Sequence, residues 1–259
     1  MNKLIVFSIV VIIVVGGIVF FVSQKKDVPA PVSKTPTTEP QKENGLAFAG
    51  PKKSAHFESN TPEHGASLAG VPVNVVINFN FDLAKGSEIS IFKDGNPSAD
   101  SGLRDYGVEK TVIDEGKLAM RRKMDSSSPE GLYTVNYTAC WADGSCHDGS
   151  FQFVIDKKLT SEFVDMTNKN KVTIDLKDIA FNPKNIKIST GTEITWVNQD
   201  SVEHTVNTDS HPGHNYYPPQ NSRILKKGDT YSVIFTEVGI YLYHCTPHAS
   251  SMKGAVLVE

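Results

Sequence analysis

Three residues that can bind a soft metal ion lie within eight positions near the C-terminal end of the chain. They are Cys245, His248 and Met252, in the spacing Cys-x2-His-x3-Met. A thiolate, an imidazole and a weak thioether together suit copper that alternates between Cu(I) and Cu(II). Such a site needs a second imidazole, and His204, which follows a strand-like run upstream, can supply it. This set of residues predicts one type 1 copper site formed by His204, Cys245, His248 and Met252.

Composition restricts the partners that the chain can bind. The net charge is −3 and the sequence contains no block of basic residues, so we do not expect a nucleic-acid partner. Apolar residues make up 39% of the 259 positions, which is enough to bury the core of one large domain or of two small ones.

The two remaining cysteines, Cys140 and Cys146, form a pair if Cys245 binds a metal. They lie near the two ends of a short loop between strand-like segments, where facing residues can approach within bridging distance. An oxidising compartment would favour a disulfide between them. A thiolate metal site with His147 is the alternative.

The N-terminal segment predicts attachment to a membrane. Leu4 to Val22 is apolar and uncharged, and it is long enough to cross a bilayer as a helix. We interpret residues 1–23 as an uncleaved transmembrane signal-anchor, with a cleaved signal peptide as the alternative. Residues 24–52 are rich in proline and threonine and predict a flexible linker. The copper and cysteine arguments place both folded domains outside the cytoplasm, at the cell surface or in the periplasm.

Alternating apolar residues predict a first β-sandwich at 53–157. Val73 to Asp82 alternates, with Val76 as the exception. Residues 133–141 and 151–155 alternate in the same way, and Asp143-Gly-Ser145 lies between them, so these two strands form a predicted hairpin.

This region contains three distinctive segments: Ala55-His-Phe-Glu-Ser-Asn-Thr-Pro-Glu-His-Gly-Ala-Ser-Leu, Gly131-Leu-Tyr-Thr-Val, and Trp141-Ala-Asp-Gly-Ser-Cys-His-Asp-Gly-Ser-Phe-Gln-Phe. Together they resemble CopC-like copper-resistance domains. The resemblance implies a second copper site, for Cu(II), at His56, Asp143 and His147. In place of the family's Asp-Gly-His, this chain has Asp-Gly-Ser-Cys-His.

Residues 158–170 predict a polar connector, and 171–259 predict a second sandwich of the Greek-key type. Strands alternate around Val172, Ile194, Tyr231 and Tyr241, and turn residues separate them. The predicted fold is therefore all-β, with two β-sandwich (Greek-key) domains in tandem behind an N-terminal transmembrane helix and a flexible linker.

The second region contains four distinctive segments: Asp178-Ile-Ala-Phe-Asn-Pro-Lys-Asn-Ile-Lys-Ile, Gly191-Thr-Glu-Ile-Thr-Trp-Val-Asn-Gln-Asp, His204-Thr-Val and Gly239-Ile-Tyr-Leu-Tyr-His-Cys-Thr-Pro-His. Together they resemble a cupredoxin, the family of small blue copper proteins. The resemblance implies that His204, Cys245 and His248 are the strong ligands, and that Met252 is the long axial ligand. It also implies that the electron passes through His248, at the surface, to a redox partner protein.

Together these features favour a membrane-anchored electron carrier that converts no substrate of its own. The alternative is a copper-handling protein, for binding, delivery or resistance, which carries a second copper and meets a copper-transport protein. An oxidase or nitrite reductase is disfavoured, because the sequence shows one cupredoxin region and no His-x-His pair. We interpret His211 and His214 as solvated loop histidines, with an auxiliary metal site as the alternative.

Overall fold

Short strands dominate the computed structural model, which describes residues 47–94 and 103–259. The predicted transmembrane segment and most of the predicted linker lie outside these residues. Within the described ranges, no helix has the length and apolarity needed to cross a membrane. The helices found there are short 3-10 turns, at Lys157–Glu162, Pro218–Gln220 and Thr246–His248.

In the described part of the N-terminal region, residues 47–94 and 103–156, eight strands build two four-stranded sheets, in the orders β1-β3-β6-β5 and β2-β8-β7-β4. The strands are β1 (Phe57–Thr61), β2 (Ser67–Leu68), β3 (Asn74–Phe79), β4 (Glu88–Lys93), β5 (Gly107–Ile113), β6 (Ala119–Met124), β7 (Gly131–Cys140) and β8 (Cys146–Ile155).

Strand β3 explains the residue that broke the apolar alternation. Val75, Ile77 and Phe79 pack into the core of the N-terminal sandwich. Val76 points to the opposite face of the strand and is also fully buried, because it packs into the core of the C-terminal region. The second apolar face of β3 therefore forms an interface with the C-terminal region.

The predicted hairpin at residues 143–145 is confirmed. Strands β7 and β8 pair antiparallel over their whole length, and the register places Cys140 opposite Cys146. The sulfur atoms of these two cysteines are joined in a disulfide. The alternative, a thiolate metal site with His147, is therefore not what the structure contains.

Nine strands build the C-terminal region, in sheets of the orders β11-β10-β13-β15 and β14-β16-β17-β12-β9. The strands are β9 (Val164–Asp165), β10 (Lys171–Lys177), β11 (Ala180–Asn182), β12 (Asn185–Ile188), β13 (Glu193–Asn198), β14 (Asn207–Thr208), β15 (Thr230–Ile234), β16 (Gly239–His244) and β17 (Lys253–Val258).

The predicted connector at 158–170 is ordered and takes part in the C-terminal sheet. Its first residues form the 3-10 turn Lys157–Glu162, which Asp156 caps by accepting a hydrogen bond from the Lys158 backbone N–H. Strand β9 follows and pairs parallel with β12, so that Val164 lies opposite Ile186. The connector thus supplies an edge strand.

The two sandwiches meet through backbone and side-chain contacts. The Ile240 backbone N–H donates to the Val71 carbonyl at 2.8 Å. The buried Tyr216 hydroxyl accepts from the Val73 N–H at 3.1 Å and donates to the Ile240 carbonyl at 2.6 Å. Gly239 has a φ of +147°, and a Cβ there would lie 2.7 Å from a Val73 methyl carbon. These contacts fix the start of β16, the strand that leads to Cys245.

Candidate metal centre

Two loops at one end of the C-terminal sandwich carry the four predicted ligands. His204 lies in the loop between β13 and β14, and its backbone N–H and carbonyl both bond to Leu225. Cys245 follows the last residue of β16, His248 ends the 3-10 turn Thr246–His248, and Met252 precedes β17. One loop therefore supplies three of the four side chains.

Three of these side chains converge on one point. The Cys245 Sγ lies 3.4 Å from the His204 Nδ1 and 3.5 Å from the His248 Nδ1. The ligand atoms of all three lie within 4.8 Å of one another. Two donors that share one ion at bond lengths of about 2.3 Å for sulfur and 2.0 Å for nitrogen stand ~3.5 Å apart. The observed separations match that value.

The ligand loop has a tight hydrogen-bonding pattern that places Met252 beside the cysteine. The Cys245 N–H donates to the Met252 carbonyl at 3.0 Å, and the Met252 N–H donates to the His248 carbonyl at 2.9 Å. The His248 N–H in turn donates to the Cys245 carbonyl at 2.9 Å. These three bonds keep the backbones of Cys245, His248 and Met252 within one turn.

Water is largely excluded from the donor atoms. His204 and Cys245 are 0% exposed and Met252 is 1% exposed. His248 is half-buried, so it is the predicted ligand with the most access to solvent. Of the four predicted ligands, three are thus shielded from water and one is partly exposed.

Asp200 orients His204. The His204 Nε2 lies 2.9 Å from an Asp200 carboxylate oxygen, which leaves Nδ1 as the atom that faces the sulfur. The same carboxylate accepts hydrogen bonds from the backbone N–H groups of Asp178 and Ile179. These bonds lower the pKa of Asp200 to about 2, and the bond from the Ile179 N–H has the largest effect. The carboxylate is therefore ionised at neutral pH and accepts the proton of Nε2, which fixes the tautomer that a metal ligand requires.

The sulfur lies in an apolar pocket. Burial raises the pKa of the Cys245 thiol, although the Thr205 backbone N–H donates to Sγ at 3.4 Å and opposes the shift. A thiol in such a place stays protonated at neutral pH unless a cation compensates the charge of the thiolate. Metal binding therefore releases a proton here.

The two loops are also joined directly, and a buried amide supports the histidine loop. The Thr246 N–H donates to the Thr205 hydroxyl at 2.8 Å. Asn198, which is fully buried, donates to the carbonyls of Val202 and Leu225 at 2.8 Å each. The donor atoms, the tautomer of His204 and the hydrogen bonds that support the two loops all fit one copper ion.

Comparison with known proteins identifies both regions. The family described as "Copper binding proteins, plastocyanin/azurin family" matches residues 168–259, and the CopC domain matches residues 57–156. Amicyanin-alpha of Methylorubrum extorquens is 35% identical over 86 residues, which are 33% of this chain and 70% of that protein. The chain belongs to the plastocyanin/azurin family. Its C-terminal sandwich is a cupredoxin domain, and its copper cofactor follows from that membership.

Two further relatives show how far the similarity extends. Plastocyanin of Scenedesmus fuscus is 32% identical over 94 residues, which are 34% of this chain and 96% of that protein. Amicyanin of Paracoccus denitrificans is 32% identical over 88 residues, and the chain spans 65% of its length. Each of these similarities covers 34% of this chain.

Two of the three residues of the implied second copper site, His56 and His147, lie against an indole in the CopC domain. The His56 ring lies 5.6 Å from the Trp141 ring and the His147 ring lies 6.0 Å from it. Asp143 instead accepts hydrogen bonds from the backbone and hydroxyl of Ser145, which lower its pKa. In the described ranges, these three residues do not form a group with ligand atoms within 4.8 Å of one another. The site at His56, Asp143 and His147 stays a prediction.

Two functional features were missed from the sequence. Asp200 lies four residues before His204, but this segment is a loop, so spacing alone gave no sign that the two side chains would meet. His244 precedes Cys245 and was not singled out; its side chain lies with those of His211 and His214 in a second group with ligand atoms within 4.8 Å.

Proposed function

We propose that the cupredoxin domain carries electrons between proteins, with one type 1 copper held by His204, Cys245, His248 and Met252. The observation that carries the proposal is the position of the two Nδ1 atoms, 3.4 and 3.5 Å from one buried thiol sulfur. Copper bound by two imidazoles, a thiolate and a weak thioether cycles between Cu(I) and Cu(II), and so exchanges one electron.

The protein's own groups make this exchange easy by holding the ligands still. Asp200 fixes the ring of His204, and the bonds between Cys245, His248 and Met252 fix the ligand loop. The donors are already assembled, so they need to move little when the charge of the site changes. Small movement lowers the reorganisation cost of electron transfer.

His248 is the proposed exit for the electron. It is half-buried while His204 and Cys245 are fully buried, and the neighbouring Pro247 is exposed. A redox partner protein that docks over this end of the domain would come within a few ångströms of the imidazole. We infer no conversion of a substrate at this centre.

We also propose that both domains are extracytoplasmic, and that residues 1–23 anchor them to the membrane. The disulfide between Cys140 and Cys146 supports an oxidising compartment. The apolar run from Leu4 to Val22 supports the anchor. The proposed domain boundaries are 53–157 and 171–259, with β9 of the connector added to the second domain.

The CopC domain favours a second candidate function, which is copper handling. A CopC domain and a cupredoxin domain lie in one chain, and two histidine rings of the CopC domain lie against Trp141. This function would require copper in both domains and a copper-transport protein as partner. A chain that binds one copper, with a count unchanged by replacing His56 and His147 together, would speak against it.

The experiment for the main proposal is a visible and electron paramagnetic resonance spectrum of the copper-loaded full chain beside its Cys245→Ser variant. We expect intense thiolate-to-copper absorption in the wild type, a small copper hyperfine splitting, and the loss of both in the variant. A wild-type spectrum without the absorption would contradict the proposal.

A further inference from the structure

A second group of imidazoles lies at the end of β16, on residues that the copper centre does not use. His244 is the last residue of β16, and His211 and His214 lie in the loop between β14 and the 3-10 turn Pro218–Gln220. One ligand atom from each of the three rings lies within 4.8 Å of the other two. We propose that these three imidazoles bind a divalent ion, zinc or copper, as a site separate from that of Cys245.

The spacing of the nitrogen atoms fits a shared ion. The Nε2 atoms of His214 and His244 lie 3.2 Å apart. Two nitrogens bound at about 2.0–2.1 Å to one tetrahedral ion stand ~3.3 Å apart. The His211 ring centre lies 5.6 Å from that of His214 and 5.5 Å from that of His244, and a ring nitrogen of His211 lies within 4.8 Å of a nitrogen of each of the other two. Three imidazoles suit zinc, copper and nickel better than the hard cations.

A carboxylate fixes His244 in the form that a ligand needs. The His244 Nδ1 lies 2.7 Å from an Asp209 carboxylate oxygen. With its proton on Nδ1 and directed to Asp209, the imidazole presents an unprotonated Nε2 to the other two rings. Metal-binding histidines almost always have such a partner on the second nitrogen. His244 is 1% exposed, so water does not replace this contact.

The CopC domain holds the loop that carries two of the three rings. The Ser210 hydroxyl accepts a hydrogen bond from the Asn78 amide at 2.6 Å and lies 3.2 Å from the Ser59 hydroxyl. The Asn215 side-chain amide donates to the side-chain oxygen of Asn78, Oδ1, at 3.0 Å. The Asn78 side chain thus bonds to the loop both before His211 and after His214, and the site depends on both domains.

The site opens into a cleft of about 630 Å³ between the domains. His211 and His244 line it from the cupredoxin domain, and Ser59, Asn60 and His64 line it from the CopC domain. Three protein ligands leave a fourth tetrahedral position for water or a small ligand from the cleft.

Strand geometry keeps the two metal sites apart. His244 and Cys245 are adjacent in an extended backbone, so their side chains leave opposite faces. Accordingly, the His244 ring meets Asp209, and the Cys245 sulfur meets His204.

The test counts metals on the full chain. The protein is first loaded with one equivalent of copper, until the thiolate absorption is complete, and is then dialysed against Zn(II). Zinc and copper per chain are measured together. We expect one zinc to bind while the copper and its absorption are retained.

The decisive variant is His211→Gln/His214→Gln, with His56→Gln/His147→Gln as the matched control in the CopC domain. We expect the first to lose the zinc while keeping the thiolate absorption, which shows that the domain is folded, and the second to keep both metals. Zinc bound only in place of copper, zinc retained by the first variant, or zinc lost from the control would each overturn the proposal.

Asp209→Asn tests the positioning role of the carboxylate. Loss of such a partner weakens metal affinity by about 10- to 100-fold. We therefore expect zinc affinity to fall by that factor, with the copper absorption unchanged. An unchanged zinc affinity would mean that Asp209 does not orient His244 toward an ion.

Discussion

A single contact decides which atom of His204 can bind the metal. Asp200 bonds the Nε2 of His204, and this leaves its Nδ1 toward the Cys245 sulfur. The ligand types could be predicted from the sequence because cysteine, histidine and methionine occur at a distinctive spacing. The role of Asp200 could not be predicted, because it depends on a loop conformation in which the carboxylate also accepts hydrogen bonds from the N–H groups of Asp178 and Ile179.

Replacing Asp200 should weaken copper binding without removing a ligand. In Asp200→Asn the side chain loses its charge, so the His204 tautomer is no longer fixed, and we expect about 10- to 100-fold lower copper affinity. Competition with a chelator of known affinity measures the change. The control is Glu203→Gln at an exposed neighbouring position, which should leave the affinity as it is. Equal affinities for all three proteins would refute the role of Asp200.

Copper uptake should depend on pH in a definite direction. Burial raises the pKa of the Cys245 thiol, so at neutral pH the metal-free chain holds a proton on this sulfur, which the thiol must lose to bind copper as a thiolate. Between about pH 6 and 8, we expect the apparent copper affinity to rise roughly tenfold for each unit of increasing pH. Affinity measured at several pH values, together with the protons released on binding, tests this; an affinity that stays constant over that range would show that no proton leaves.

At the scale of elements, the copper centre depends on two loops that are bonded to each other. The strands β13 and β16, which lead into these loops, were predicted from alternation, and the hairpin at residues 143–145 was predicted from its turn residues. The two-residue strand β9 was not, because Val164–Asp165 is too short to show a period. The apparent exception at Val76 is explained only by a neighbouring domain that covers the second face of β3.

Thr205→Val should loosen the contact between the two loops. The change keeps the shape of the side chain but removes the hydroxyl that accepts the Thr246 N–H at 2.8 Å. We expect the free energy of unfolding of the metal-free chain to fall by about 1–2 kcal/mol. Urea denaturation measures it, with Thr195→Val as the control, since the Thr195 hydroxyl bonds to Ser232 at an exposed position. If the control loses as much free energy of unfolding as Thr205→Val, the bond between Thr205 and Thr246 does not specifically stabilise the contact between the loops.

At the scale of the molecule, the two sandwiches share apolar contacts. Ile240, Ala255 and Leu257 of the cupredoxin domain pack into the core of the CopC domain. Val73, Val76 and Ala119 pack into the core of the cupredoxin domain. The sequence predicted two sandwiches, because each has its own alternating strands. It did not predict how they meet, since contacts between distant surfaces leave no local pattern.

Tyr216→Phe should destabilise this interface. The change removes the hydroxyl that bonds both Val73 and Ile240, and leaves a buried N–H without its acceptor. We expect a loss of about 1–3 kcal/mol in the free energy of unfolding. Tyr231→Phe is the control: its hydroxyl bonds the Pro219 carbonyl at an exposed site, where water can replace it. If the two variants lose the same free energy, the Tyr216 hydroxyl does not stabilise the interface.

The most direct test of the copper centre is a crystal structure of the copper-loaded chain, with the metal located by anomalous scattering at the copper edge. We predict one copper bound to the Cys245 Sγ and, at about 2.0 Å, to the Nδ1 atoms of His204 and His248, with Met252 on its axis. Copper bound through Nε2 of either histidine, or the absence of copper beside Cys245, would contradict this account.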